Sequence, residues 1–478
     1  MMDLKTRTIE GAFWNFFFAV LNKLITVGGQ FALAWFLIPA DLGLANMAQS
    51  IVAFTTILSV GGLGDVLLQR RRFNQEAGQA FWLSIGFSVF TALLILIIAL
   101  LSPAFGKPEI KYLLFFLALA TMLGAPATIM GASLKSKLDY KGLAFSQFVG
   151  GFFFTVIAVF LAWMGWGPYA LIVALIPKQI ITISVVWSRG GTFKIKKPVF
   201  EKLKNLLKPT LSLSISSLLM GLQSQAPIFV CGMVLGPEET GFFSWGWMVA
   251  GQMVFLLASN LREVLLPTFT KFGNEPERVE KAALKVACTI TAFLCIACGT
   301  QALLAEILIK IFLPEKWLPA IPVVVLFSIG LVSQGLWVSG TAWLNASGKY
   351  QLLMRLSAFQ AVLTAGFTWL GADFANLWGA SFGCTLATFG GGVIYIWLLK
   401  GRNLNALWKS FGVSFGLTWV LWLFFFLISL KRGMGVQVVS AVLFAIFDGL
   451  VWWQADDGGL REVLGKVRKK LFLMENRI

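Results

Sequence analysis

Residues 37–43 read LIPADLG and residues 235–241 read LGPEETG. Pro39 falls on Pro237 and Gly43 on Gly241, a separation of 198. At the same separation, Asp65-Val66-Leu67-Leu68 falls on Glu263-Val264-Leu265-Leu266. A second pair lies downstream in each half. Residues 133–148, SLKSKLDYKGLAFSQF, match 342–359, AWLNASGKYQLLMRLSAF, with Tyr140 on Tyr350 at a separation of 210. Two matches in one order, at similar separations, mark an internal duplication.

Composition says what kind of unit is duplicated. The 478 residues are 58% hydrophobic and only 13% charged, and mean hydropathy is +0.81. A soluble chain carries roughly twice that charged fraction. The pattern is that of an all-α polytopic membrane protein. A span needs about 20 mainly apolar residues. Fourteen stretches qualify: 11–38, 42–68, 78–103, 112–134, 143–165, 168–188, 209–235, 240–267, 282–309, 318–344, 352–371, 376–399, 407–430 and 434–453. The N-terminal MMDLKTRTIEGAFW leads into the first of them without a small-residue cleavage site, so it reads as a span and not as a removed signal peptide.

Charge orients the set. With the N-terminus inside, the inner loops hold thirty of the 39 Lys and Arg residues and the outer loops hold six. The positive-inside rule then puts both termini in the cytoplasm; the expected location is a prokaryotic plasma (inner) membrane. The net charge of +17 is therefore topological. It attracts anionic membrane lipids, and nucleic acid is not an expected partner. The duplicated unit has six spans, an even number, so both copies share one orientation. Their pseudo-axis runs along the membrane normal, as in two-lobed alternating-access transporters.

The expected division is an N-lobe at 1–190, a cytoplasmic linker at 191–208, a C-lobe at 209–402, two appended spans at 403–455 and a basic cytoplasmic tail at 456–478. Within the linker, Phe200 to Leu207 has the pattern of an amphipathic surface helix.

The residues of the first match also carry a family resemblance. Phe36-Leu37-Ile38-Pro39-Ala40-Asp41-Leu42-Gly43, followed by Gly61-Gly62-Leu63-Gly64-Asp65-Val66-Leu67-Leu68-Gln69-Arg70, resembles the opening of the Wzx-type polysaccharide flippases. These belong to the multidrug/oligosaccharidyl-lipid/polysaccharide (MOP) superfamily. Leu235–Gly241 and the loop Leu344-Asn345-Ala346-Ser347-Gly348-Lys349 are similar to that family too. The resemblance covers essentially the whole chain. It implies a MATE-like MOP fold with two six-helix lobes around a central cavity and two extra helices. It also implies transfer of undecaprenyl-pyrophosphate oligosaccharides from the inner to the outer leaflet, for surface polysaccharides such as lipopolysaccharide or exopolysaccharide. A polysaccharide polymerase and a chain-length regulator are further candidate partners. Asp65 departs from the small or apolar residue expected before the Leu-Leu-Gln-Arg run.

Such a substrate has a polyprenyl tail, a charged pyrophosphate and a sugar chain. Moving it calls for a wet cavity with cations, amides and hydroxyls. Lys178, in LIVALIPKQIITISVVW (171–187), and Lys23 lie near the middle of their spans. A charge there costs from about 2.5 kcal/mol to well over 10, depending on the scale. Pairing between packed helices would offset it, and so would a water-filled cavity. No acid lies at matching depth nearby in sequence, which favours the cavity. Asn22, Lys23, Thr26 and Gln30 recur at helical spacing in the first span, with Lys23, Thr26 and Gln30 on one face. Gln179 adjoins Lys178, and Pro177 predicts a kink with a freed carbonyl. Ser217 and Gln225 belong to a weaker polar stripe in the seventh span, which equally suits close helix packing. Asp65, Arg262 and Glu263 are candidates for a cytoplasmic gate, with local ion pairing as the plainer reading. Trp245 and Trp247 suit either sugar stacking or interfacial anchoring. Glu306 and Asp448 lie in apolar stretches without an assigned role.

The chain has no histidine, which removes the commonest metal ligand and the usual proton switch. Its five cysteines fall in apolar stretches, and Cys295-x-x-Cys298 reads as helix packing. No metal or cofactor is expected, and a coupling ion, if one is used, is H+ or Na+. Three rival functions compete with the polysaccharide flippase. A multidrug/cation antiporter of the same superfamily wants deep acids, whereas the deep charges here are lysines. A lipid II flippase also favours cavity cations. A glycosyltransferase or polymerase needs acidic motifs on sizeable outer loops, and no outer loop here is long enough, so the chain reads as a transporter and not an enzyme.

Overall fold

A computed structural model describes residues 4–55, 63–69, 73–102, 108–195, 197–255, 269, 276–399, 412–429 and 433–455. Some residues within these ranges, among them Asp65 and Ser217, are described by their backbone alone. All regular structure among the described residues is helical. The chain forms two compact units, Met1–Gly241 and Phe242–Ile478.

The first unit contains α1 (Leu4–Phe36), α2 (Pro39–Thr55), α3 (Leu63–Gln69), α4 (Phe73–Leu101), α5 (Ile110–Ser136) and α6 (Tyr140–Trp163). It continues with α7 (Tyr169–Val173), α8 (Leu175–Ser188), α9 (Phe200–Val234) and the first turn of α10 (Pro237–Val254). Helix α9 belongs to the first unit, where it packs along α2. Phe200 to Leu207 is helical, and forms the first two turns of α9 rather than an element of its own. The strand of chain before it is pinned to α4. The Gln79 amide donates to the Lys197 carbonyl at 2.8 Å and accepts from the Val199 N–H at 2.8 Å.

The second unit holds the rest of α10, then α11 (Pro276–Phe312), a 3₁₀ turn at Glu315–Ala320, α12 (Ile321–Leu331) and α13 (Gln334–Ala346). After these come α14 (Tyr350–Leu399), α15 (Val413–Ser429) and α16 (Met434–Ala455). Helix α14 is two arms. Ala375 and Asn376 leave helical geometry, and Asn376 takes φ 51°, a left-handed conformation that asparagine tolerates better than most side chains. The arms fold back on each other. A Cβ on Gly371 would strike the Gly379 carbonyl, and one on Gly379 would strike the Gly371 carbonyl. The expected break between the spans at 352–371 and 376–399 falls at this turn.

Eight described helices are long and apolar enough to cross a membrane, or nine when the pair bent by 40° between α12 and α13 counts as one span. Residues 56–62, 256–268 and 400–411, which the fourteen expected spans also use, lie outside the described residues.

The duplicated motifs fold alike. Pro39 and Pro237 each open a helix, where the missing N–H costs nothing. Just before them, Leu37 N–H donates to Leu33 and Leu235 N–H donates to Cys231, both at 2.8 Å. The two helix starts then cross at their glycines. A Cβ on Gly43 would land on the Pro237 carbonyl, and one on Gly241 would land on the Pro39 carbonyl. At the second match, Asp139 N–H donates to Leu134 at 3.0 Å and Lys349 N–H to Leu344 at 2.9 Å. The residues between take the left-handed turn, Leu138 at φ 58° and Gly348 at φ 70°. These are the helix-ending bonds of a Schellman motif, placed 210 residues apart.

Four features singled out in the sequence lie in the second unit and meet neighbours there. Trp245 is 1% exposed and lies against Trp317, ring centroids 5.2 Å apart, and Trp247 meets Phe327 edge-on. Cys295 and Cys298 are buried free thiols. Asp448, fully buried, accepts from Thr418 Oγ1, which in turn accepts from Trp452 Nε1 at 3.1 Å. Glu306 pairs with Lys310 and accepts from Gln437 at 2.8 Å.

Candidate functional site

Within the first unit, α1 packs on α6, α6 on α8, and α5 on both α4 and α8. Small residues set how closely they pack. A Cβ on Gly29 of α1 would strike Thr155 of α6, and one on Gly151 of α6 would strike Asn22 of α1. Gly150 faces Thr182 and the Lys178 carbonyl of α8 in the same way. On α5 the effect is the reverse. Ala120, Gly124, Thr128, Gly131 and Lys135 follow one another at three- or four-residue steps, so they share a face. That face has no bulk, and a hollow of about 760 Å³ opens in front of it.

The hollow is walled by α5 on one side and by Phe18, Ala19 and Asn22 of α1. Gly64 of α3, Ser88 of α4, Gln147 and Phe148 of α6, and Lys178, Gln179 and Thr182 of α8 complete it. Two of the walls carry prolines, Pro126 within α5 and Pro177 in the first turn of α8. A proline offers no N–H to the carbonyl four residues back, which here is Met122 or Val173. The break between α7 and α8, at Ala174, adjoins Val173, so the expected kink falls one turn before Pro177.

Lys178 sits half-buried, its Nζ 5.3 Å from the Phe154 ring centroid. No carboxylate pairs with it among the described residues. An aromatic face attracts the ammonium without neutralising it, so the charge stays available to an anion in the hollow. Other polar atoms are also uncommitted. Ser88 is 2% exposed, and its Oγ has no hydrogen-bond partner among the described residues. The same is true of Asn22 Oδ1. Buried polar atoms are nearly always satisfied, so unpaired ones on a cavity wall point to water or to a ligand. Lys135 marks the end of the α5 stripe. It lies eleven residues from Gly124, the level of Gln179, which is about 16 Å along the helix.

A second hollow of about 320 Å³ shares Ala120, Thr121 and Gln179 with the first. Gln49 and Val52 of α2, Leu175 of α8 and Gln225 of α9 line it as well.

The structure thus brings Asn22, Lys178, Gln179 and Gln225 to two adjoining cavities. Lys23, Thr26 and Gln30 are not among the lining residues. Thr26 Oγ1 donates to the Asn22 carbonyl at 2.7 Å, along its own helix. The Ser217 and Asp65 side chains, and Arg262 and Glu263 altogether, lie outside the described residues. The α5 stripe, Ser88, Gln147 and Gln49 were not singled out by the sequence. The stripe was readable as spacing, but small residues at that spacing more often mark close packing.

Long apolar helices enclosing a polar hollow define the architecture of a membrane transporter. The sequence pattern of the family described as "Polysaccharide biosynthesis protein" matches residues 32–322, and the chain belongs to that family. It is 24% identical over 372 residues to the succinoglycan biosynthesis transport protein ExoT of Rhizobium meliloti, covering 76% of this chain and 75% of that one. It is 20% identical over 459 residues to the lipopolysaccharide biosynthesis protein WzxC of Escherichia coli, covering 94% and 90%. Among solved structures, the lipid II flippase MurJ in an inward closed conformation superposes with a TM-score of 0.69 at 13% identity, covering 93% of this chain and 99% of that one. An inward-facing multidrug resistance MATE transporter of the MOP superfamily gives 0.63 at 17% identity, covering 81% and 96%. The fold is the MurJ- and MATE-like helical fold of that superfamily.

Proposed function

We propose that the chain is a flippase for polyprenyl-pyrophosphate-linked oligosaccharide repeat units. In this reading it moves them from the cytoplasmic to the outer leaflet of a prokaryotic inner membrane, for surface polysaccharide biosynthesis. The observation that carries the reading is Lys178, an unneutralised cation on the wall of a polar hollow among membrane-spanning helices. A pyrophosphate is the substrate part that such a site binds, as a point charge meeting a multiply charged anion. The neutral amides and hydroxyls beside it suit sugar. A drug/cation antiporter would want an acid in that place. Membership of a polysaccharide biosynthesis family, and the two transport and lipopolysaccharide relatives, support the same substrate class. The full arrangement in this reading is fourteen spans, with two six-span lobes and two appended helices, both termini cytoplasmic, working by alternating access.

The test is deletion of the gene in its host, followed by extraction of polyprenyl-linked sugars and staining of surface polysaccharide. Lipid-linked oligosaccharide accumulates and surface polysaccharide is lost. Wild type restores both, and Lys178→Gln, present in the membrane at wild-type level, restores neither. Unchanged glycolipids together with new sensitivity to cationic compounds would overturn the reading.

A further inference from the structure

The two hollows differ in chemistry. The first carries Lys178 and Lys135 on its wall. Among the described residues the second has no charged residue on its wall, and its polar groups are the amides of Gln49, Gln179 and Gln225 with the Thr121 hydroxyl. The three glutamines come from three helices, α2, α8 and α9, and converge on one space. None of their amides makes a hydrogen bond to another described residue. Three glutamines elsewhere are committed: Gln79, Gln301 and Gln360 each donate to a backbone carbonyl at 2.8–2.9 Å. An amide offers two donors and an acceptor on one plane, which matches neighbouring hydroxyls on a sugar ring. At about 320 Å³ the space is at the small end of ligand pockets, which run roughly 300–1,000 Å³.

Gln179 faces both hollows, and Lys178, its neighbour on α8, faces only the first. A ligand that places its anion at Lys178 therefore has its next group at Gln179. Resting on the flippase reading, we propose that Gln49, Gln179 and Gln225 form a subsite for an uncharged sugar, the one joined to the pyrophosphate held by Lys178. The lack of a cation among the described residues of its wall sets the specificity. An acidic sugar would lose water there and gain no counter-charge.

The experiment measures binding of two lipids to purified protein in detergent. One is undecaprenyl pyrophosphate alone. The other is the lipid-linked sugar that accumulates in the deletion strain. Wild type binds both, the second more tightly. Gln49→Leu and Gln225→Leu each weaken the sugar-bearing lipid by roughly 3–10-fold, the loss of one or two neutral hydrogen bonds. They leave the bare lipid unchanged, which also shows that the variants are folded. Lys178→Gln weakens both lipids. If the glutamine variants bind both lipids as wild type does, or lose both equally, the sugar subsite is wrong and the flippase reading stands. If wild type binds neither lipid, the flippase reading itself fails and takes the subsite with it.

Discussion

The helix pair α5–α6 and its partner, α13 with the first arm of α14, begin alike and end differently. Both turn through the same left-handed residue with the same backbone bonds, at Leu138 and at Gly348. Their interiors then part. The α5 stripe of glycine, alanine and threonine faces a hollow. At a separation of 210 from Ala127 stands Trp337, whose ring lies 4.5 Å from Tyr395 with Gly340 tight against the same tyrosine. Leu336, Val338 and Leu353 bury around them. In the first unit α8 brings Lys178 to the space. In the second, the arm at 377–399 carries no charged residue, and the Gln360 amide closes on the Ala387 carbonyl. One scaffold occurs twice; α5 and α8 leave a hollow in the first unit, and around Trp337 and Tyr395 the second is packed with aromatic side chains.

The largest expected effect tests what the copies share. Gly43→Leu and Gly241→Leu each push a side chain into a backbone carbonyl that no rotamer can move. Both variants are expected to lose folded protein, read as membrane abundance and a monodisperse peak in detergent. A well-folded Gly241→Leu beside a lost Gly43→Leu would break the reciprocity of the crossing. Next comes the hollow. Lys178→Gln removes a charged partner worth about 1.5–3 kcal/mol to an anion, so affinity for undecaprenyl pyrophosphate falls roughly 10–100-fold while the protein folds. Gly124→Leu fills the same space from α5. A Cβ there already meets the Gln179 amide at 3.4 Å, so the larger side chain should block transport without loss of abundance.

The repeat was legible because a proline and a glycine recur at 198 residues and a tyrosine at 210; the crossing at Gly43 and Gly241 and the left-handed turns at Leu138 and Gly348 were not, because they depend on how the helices meet and end. Lys178 was legible because a charge in an apolar run must be answered by something. Helical spacing alone did not fix the rotation of α1. Lys23, Thr26 and Gln30 make a tidy face, yet α6 meets the neighbouring one, and Phe18, Ala19 and Asn22 line the cavity. One residue step turns a helix by about 100°, and a weak polar stripe does not say which side its partner takes. The hollow itself was hidden for a related reason. Small residues let helices approach at Gly150 and Gly151, and the same residue types leave room along α5. Only the partner helix decides which.

The smaller effects fall on the filled copy. Tyr395→Ala removes a buried ring from between Trp337 and Gly340, where aromatic-to-alanine changes cost about 3–5 kcal/mol. The thermal midpoint in detergent should fall, with affinity for undecaprenyl pyrophosphate unchanged. Gln360→Leu is gentler still. Leucine keeps most of the volume beside Gly391, and the lost bond to Ala387 is an interhelical one of a kind that averages about 0.6 kcal/mol within membrane proteins. Its midpoint should move slightly and its lipid binding not at all. That contrast with Gln225→Leu is the sharpest form of the comparison. Both changes replace an amide by leucine in a helix of the same fold, fully buried at Gln360 and partly exposed at Gln225. If the amide in the filled copy serves packing and the amide in the hollow serves sugar, the first variant loses a little stability and the second loses only the sugar-bearing lipid. A Gln360→Leu protein that lost that lipid as well would show that the filled copy shares the work of the hollow one.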